Sequence, residues 1–120
     1  MKIFISHSTT FDYQEELYKP LRESELNTKH ELIFPHESDT EISTKDSIRD
    51  CDLFVAEVTY PSTGSGIEIG WANGNYVTIA CFYKKGEEIS KSLKFVTDTI
   101  FEYESIETMI AKIIELADAL

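Results

Sequence analysis

Apolar positions along the chain alternate between short unbroken runs and stretches with a helical period. Residues 2–6 (KIFIS), 53–58 (LFVAEV) and 76–83 (YVTIACFY) are compact runs rich in β-formers, the signature of strands covered on both faces. Shorter runs at 31–34 and 99–101 predict two more strands. Between them, Tyr13, Leu17 and Leu21 recur at helical spacing after Asp12 and Glu15, which resemble a capping pair, and Pro20 should disturb that helix. Ser43 with Asp46 predicts a cap and a short helix to about Asp50. A helix over 67–72 should end at the cluster Asn73, Gly74, Asn75, and residues 84–87 read as a turn. Residues 89–93 suggest one helical turn. From Ser105, the positions Ile106, Met109, Ile110, Ile113 and Ala117 give an amphipathic helix with Glu107, Lys112 and Glu115 on its outer side.

Strand and helix in alternation predict a three-layer α/β domain, Rossmann-like or flavodoxin-like, with a mostly parallel sheet of about five strands. Strand order is not legible at this level. With 120 residues and 42% apolar content the chain suits one domain over 1–120 with one core. Eleven basic against 22 acidic residues leave a net charge of -11, which would repel a nucleic-acid polymer or an anionic membrane surface. A small anionic nucleotide is opposed less strongly, since local N–H donors can outweigh a global field. The opening MKIFIS is interrupted too early by Ser6 and His7 for a signal peptide, and no run reaches membrane-spanning length, so a cytoplasmic protein is expected. Cys51 and Cys81 lack metal-ligand or redox spacing and are expected as reduced packing residues; no metal or cofactor is expected.

The chemistry concentrates in residues 52–72, DLFVAEVTYPSTGSGIEIGWA. A strand leads into a segment punctuated by Gly64, Gly66 and Gly70, and Glu68 lies just past the first two. If a helix begins there, its positive end and nearby amides would keep Glu68 ionised while the glycines admit a ligand. Ser62, Gly64, Ser65 and Gly66 would then form a loop able to hold a phosphate or a sugar hydroxyl. The plainer readings are a dipole-complementing glutamate and an ordinary strand-to-helix turn.

The motif AEVTYPSTGSGIEIGWA, together with the opening KIFISHS, resembles the nucleoside 2-deoxyribosyltransferase family, closest to its branch of 2-deoxynucleoside 5-phosphate N-hydrolases. The resemblance covers the whole chain in order, with specificity only in the central motif. It implies a small Rossmann-like sheet and cleavage of an N-glycosidic bond, with Glu68 as the nucleophile that attacks the anomeric carbon. It implies Ser62, Gly64 and Ser8 as phosphate contacts, Ser90 as a residue lent to a neighbouring subunit, and hence a homodimer or higher oligomer. Ser90 also reads simply as an N-cap.

The chain departs from that pattern at three places. Phe4 stands where the branch has a tyrosine, Thr9 and Thr10 occupy the region of a phosphate-clamping arginine, and Thr44 replaces an aspartate before the central strand. Candidates for the missing acid or for an orienting group are Glu57, His7, His36 and Asp46, with Asp39 and Glu41 on the loop at 36–41. Glu57, late in an apolar strand, would have its pKa raised by burial, or would accept loop amides and shape the site. A histidine could protonate a leaving base near neutral pH, but His7 and His36 both sit in polar loops, where such a residue is more often simply exposed. Trp71, Tyr60 and Tyr76 could stack a base or fill the core.

The expected function is therefore hydrolysis or transfer at the N-glycosidic bond of a small (deoxy)nucleoside or its 5-monophosphate. Two rivals stand beside it. KIFISHSTTFD also resembles the first strand and loop of TIR domains, implying an NAD glycohydrolase, and the absent aspartate allows a nucleotide-binding domain without turnover.

Overall fold

The computed structural model describes residues 1–38 and 43–120. Asp39 and Glu41 lie outside the described residues. Five strands, β1 (Lys2–Ser6), β2 (Glu31–Ile33), β3 (Leu53–Glu57), β4 (Thr78–Lys84) and β5 (Ile100–Tyr103), form one sheet in the order β2-β1-β3-β4-β5, every pair parallel. That order is flavodoxin-like. The chain leaves β1 toward one edge and returns to pair β3 on the other side, so the sheet has its topological switch point between β1 and β3.

Alternation within the strands divides the core into two faces. Ile3, Ile5, Leu53, Val55, Ala80 and Phe82 point to one side and meet a π-helical turn (Gln14–Tyr18), α1 (Lys19–Arg22), α2 (Glu25–Lys29) and α5 (Ile106–Ala119). Phe4, Phe54, Ala56, Ile79 and Cys81 point to the other. There they meet α3 (Lys45–Arg49), α4 (Thr63–Gly74) and a 3-10 helix (Lys91–Phe95). Both faces of β3 are buried along its whole length, as its continuous apolar run predicts. Phe4 stacks on Phe54 with centroids 5.5 Å apart and is a core residue. Both cysteines are buried and unpaired, with burial pushing each thiol up to about 11.

Several boundaries differ from expectation, each for a local reason. The first helix is divided at Pro20: the Lys19 amide bonds Gln14 five residues back, and the helical pattern resumes in α form with the proline near its start, where no amide is missed. The fourth strand starts at Thr78, because Tyr76 adopts a left-handed conformation (φ 58°) and ends α4. Tyr76 donates to Asn73 O (3.2 Å) and Val77 to Ala72 O (3.0 Å), the paired bonds of a Schellman cap in which glycine is usual at the tyrosine's position. The final strand runs two residues further than expected, to Tyr103. α5 opens with Ser105 and Thr108 capping each other's amides.

Candidate active site

The largest correction concerns the glycine segment. Ser62 is the N-cap of α4, its hydroxyl accepting the Ser65 amide at 3.2 Å, so Gly64, Ser65 and Gly66 are the first turn of a helix and not a loop. Glycine's low helix propensity concealed this start, which the serine cap and the Gly66 amide on Ser62 O (3.1 Å) secure. Glu68 thus stands more than a turn inside α4, beyond the reach of the helix-start charge invoked for it.

Hydroxyl groups hold Glu68 instead. Ser6 Oγ donates to Oε1 at 2.8 Å, and Thr44 Oγ1 donates to Oε2 at 2.7 Å. Ser6 is the last residue of β1, at the switch point, and Thr44 immediately precedes α3, so three separate elements converge on one carboxylate. Ser65 Oγ lies 3.5 Å from Ser6 Oγ, extending the hydroxyl chain along α4. The carboxylate is half-buried, with each oxygen steadied by one donor. Thr44 therefore occupies a place beside Glu68, although it brings a hydroxyl where an acid was sought. The cap expected from Ser43 is weak, its hydroxyl accepting only the Lys45 amide at 3.4 Å.

The other candidates are distributed around this pair. His7 is buried, with Nδ1 donating to the Ser8 carbonyl at 2.7 Å and Nε2 accepting from the Tyr18 hydroxyl at 2.5 Å. A carbonyl only accepts, so the tautomer is set. The Tyr18 hydroxyl oxygen (Oη) in turn accepts the His36 amide at 3.1 Å. Burial lowers the His7 pKa to about 4, against the opposing effect of the Ser8 bond, with nearby His36 lowering it further. His7 is a neutral ring at ordinary pH. Burial likewise raises Tyr18. Ser8 is buried and turned into its own loop, accepting the Thr10 amide at 3.1 Å. His36 is exposed, its ring 5.3 Å from that of His7.

Glu57 takes the orienting alternative. Fully buried, it accepts the Thr59 amide (2.6 Å), the Thr59 hydroxyl (3.0 Å) and the Tyr103 hydroxyl, while Thr59 Oγ1 accepts the Lys84 amide at 2.9 Å. Its oxygens tie the ends of β3, β4 and β5 together and anchor the connection that carries Ser62. Asp46 points outward to Arg49 at 3.2 Å. Ser90 caps the 3-10 helix, accepting the Ser92 amide at 3.3 Å. Among the aromatic candidates, Tyr60 stacks on Phe11 at 4.8 Å and Trp71 packs partly against the α3/α4 core. Tyr76, 96% exposed at the far end of α4, is not near Glu68.

Two residues of this arrangement escaped sequence reasoning. Ser6 looked like the end of a strand, and only its place at the carboxyl edge of the sheet pointed toward a ligand. Tyr18 looked like one more residue of a helix. A cleft of about 400 Å³ opens along α4 from Ser62 to Gly70, roofed by the segment 88–96. Glu68 is not among its lining residues, but Ser65 lines it and stands between the cleft and Ser6.

No protein-family profile matches the chain, and no curated protein is similar to it in sequence. Solved structures do resemble it. A CMP N-glycosidase, BcmB, from Clostridium botulinum superposes with a TM-score of 0.69 at 21% identity over 94% of this chain and 98% of that one. A 2-deoxyribosyltransferase from Leishmania mexicana superposes with a TM-score of 0.67 at 19% identity over 95% and 97%. At these identities the likeness establishes the fold, end to end.

Proposed function

We propose that this protein is an enzyme that cleaves the N-glycosidic bond of a small nucleoside or nucleotide, with Glu68 as the nucleophile. The observation that carries the reading is the Glu68 carboxylate, gripped by Ser6 and Thr44 at the switch point of a fold shared with an N-glycosidase and a deoxyribosyltransferase. Carboxylates at this position in an open parallel sheet lie where ligands bind.

One Glu68 oxygen bonds to the anomeric carbon as the bond from that carbon to the base nitrogen breaks, and the electron pair departs with the base. Water then attacks the same carbon, releases the carboxylate and gives up its proton; a second base in place of water would make the reaction a transfer. The hydroxyls of Ser6 and Thr44 orient the attacking group and do not supply the proton, being poor acids. Among the described candidates Glu57 and Asp46 are committed elsewhere and His7 is neutral inside the domain, which leaves the exposed His36 or solvent to protonate the leaving base. In this reading the chain works in the cytoplasm as a homodimer, and light scattering during size exclusion measures the assembly.

Chromatographic detection of free base decides the matter. Deoxynucleosides, ribonucleosides, their 5′-monophosphates and NAD are incubated with the protein and with Glu68→Gln. Base release that the substitution abolishes is expected. Release undiminished in Glu68→Gln would refute the assignment, and nicotinamide from NAD as the preferred product would move the protein to the TIR-like reading.

A further inference from the structure

The buried polar side chains Ser6, His7, Ser8, Glu57, Thr59 and Ser65 gather at the carboxyl edge of the sheet. Ser6 and Ser65 attend Glu68, and Glu57 with Thr59 ties the strand ends together. His7 has no such task. Among the described residues its one side-chain hydrogen-bond partner is the hydroxyl of Tyr18. Tyr18 is itself 5% exposed and ends a π-helical turn, a form often met at functional sites.

The fold does not require this pair. Tyr18 stacks on Phe34 with centroids 4.3 Å apart, and the His7 ring lies edge-on to Tyr18 at 5.0 Å, contacts that two apolar rings would make as well. Apolar groups of the same shape in place of both partners would be close to neutral for stability. What they could not supply is direction. The Tyr18 hydroxyl donates to His7 Nε2 at 2.5 Å and accepts the His36 amide at 3.1 Å, so one oxygen ties the loop after β1 to the loop after β2. A satisfied buried network of this kind rigidifies its surroundings and specifies one geometry.

Both loops lead to Glu68. His7 directly follows Ser6, whose hydroxyl donates to Oε1 at 2.8 Å. The chain beyond His36 runs on to Thr44, whose hydroxyl donates to Oε2 at 2.7 Å. Burial is the chief cause of the upward shift of the Tyr18 hydroxyl, and the charge of Glu68 adds to it, so the two groups are within electrostatic reach.

We infer that Tyr18 is a positioning residue for Glu68: its hydroxyl locks the loops after β1 and β2 together, so that Ser6 and Thr44 meet the carboxylate from both sides. It acts through these partners and not on the substrate. Only its kinetic consequence rests on the preceding reading.

Tyr18→Phe removes the oxygen and keeps the ring. Its crystal structure is expected to show at least one of the two Glu68 hydrogen bonds opened beyond about 3.5 Å. Both bonds kept at wild-type length would overturn the proposal. In the base-release assay, run well below the melting temperature, kcat should fall roughly 10-fold or more with KM within about threefold of wild type. Ile113→Val, in the same core but on α5, lowers stability without touching the loops and should leave kcat unchanged. A folded Tyr18→Phe with the kcat of Ile113→Val would overturn the proposal. Combined with Ser6→Ala or Thr44→Val, Tyr18→Phe should cost less than the product of the single losses, because the same geometry is already gone; losses that simply multiply would also overturn it. If Tyr18→Phe does not fold, His7→Asn breaks the same clasp from the other side and is read in the same ways. The two readings fail separately. A wild type that releases no base sinks the glycosidase assignment and leaves the crystal structure to judge Tyr18, whereas Glu68-dependent release that Tyr18→Phe leaves unchanged sinks the positioning role alone.

Discussion

Acid should unfold this protein partly through one ring. His7 is 3% exposed and, with its Nδ1 proton on the Ser8 carbonyl and Nε2 accepting from the Tyr18 hydroxyl, a second proton would put a buried charge on the ring and break the Tyr18 bond as it stands. Its value in the folded protein is about 4, against 6.5 for an ordinary histidine. Because the folded value is depressed, above about pH 7.5 the ring is neutral in both states and costs nothing. As pH falls through 6.5 the unfolded chain takes up a proton that the folded chain refuses, and stability declines until the folded ring protonates near 4. Integrated between pH 7.5 and 4.5, the loss is ~2.5 kcal/mol, a substantial part of the stability of a small domain. Urea unfolding at the two pH values measures it. Carboxylates titrate over the same interval, so the quantity to read is the difference between wild type and His7→Asn, which keeps a donor for Ser8 and cannot titrate. The variant should be less stable at pH 7.5 and lose ~2.5 kcal/mol less on acidification. Equal losses in the two proteins would refute the argument, as would an NMR titration placing the His7 ring near 6.5.

The remaining predictions concern the site and the backbone. Removing one donor from Glu68 by Thr44→Val or Ser6→Ala should lower kcat/KM for base release by roughly 10- to 100-fold, since a hydrogen bond to a charged group is worth ~1.5–3 kcal/mol; activity unchanged in both would show that orientation of this carboxylate is unimportant. Tyr103→Phe withdraws a donor from the buried Glu57 carboxylate and should destabilise the fold by ~1–3 kcal/mol, measured by urea denaturation. Tyr76→Gly relieves a left-handed tyrosine whose side chain buries nothing, so thermal melting should show a gain of ~1 kcal/mol.

Local pattern was enough for the class of the fold. The apolar cores at 3–5 and 53–56, short and rich in β-formers, read as strands covered on both sides, and the helical periods between them favour parallel connections, so the residues alone indicate a three-layer domain. The stretch around Glu68 drew attention as well, through its strand, its glycines and its resemblance to a known family. Where α4 begins was not. A sequence of Thr, Gly, Ser and Gly looks like a loop because its intrinsic preference is for one, and only the Ser62 cap and packing of Ile69 and Ala72 on the sheet overcome that preference. Strand order, too, depends on which edges meet after collapse. It is that order which sets Ser6 beside α4 and brings Thr44, 24 residues away in the chain, onto the same carboxylate. A hydroxyl's partner is decided by contacts far along the sequence, which no local periodicity encodes. Hence a threonine that reads as a missing acid acquires its place at the site only in the folded chain.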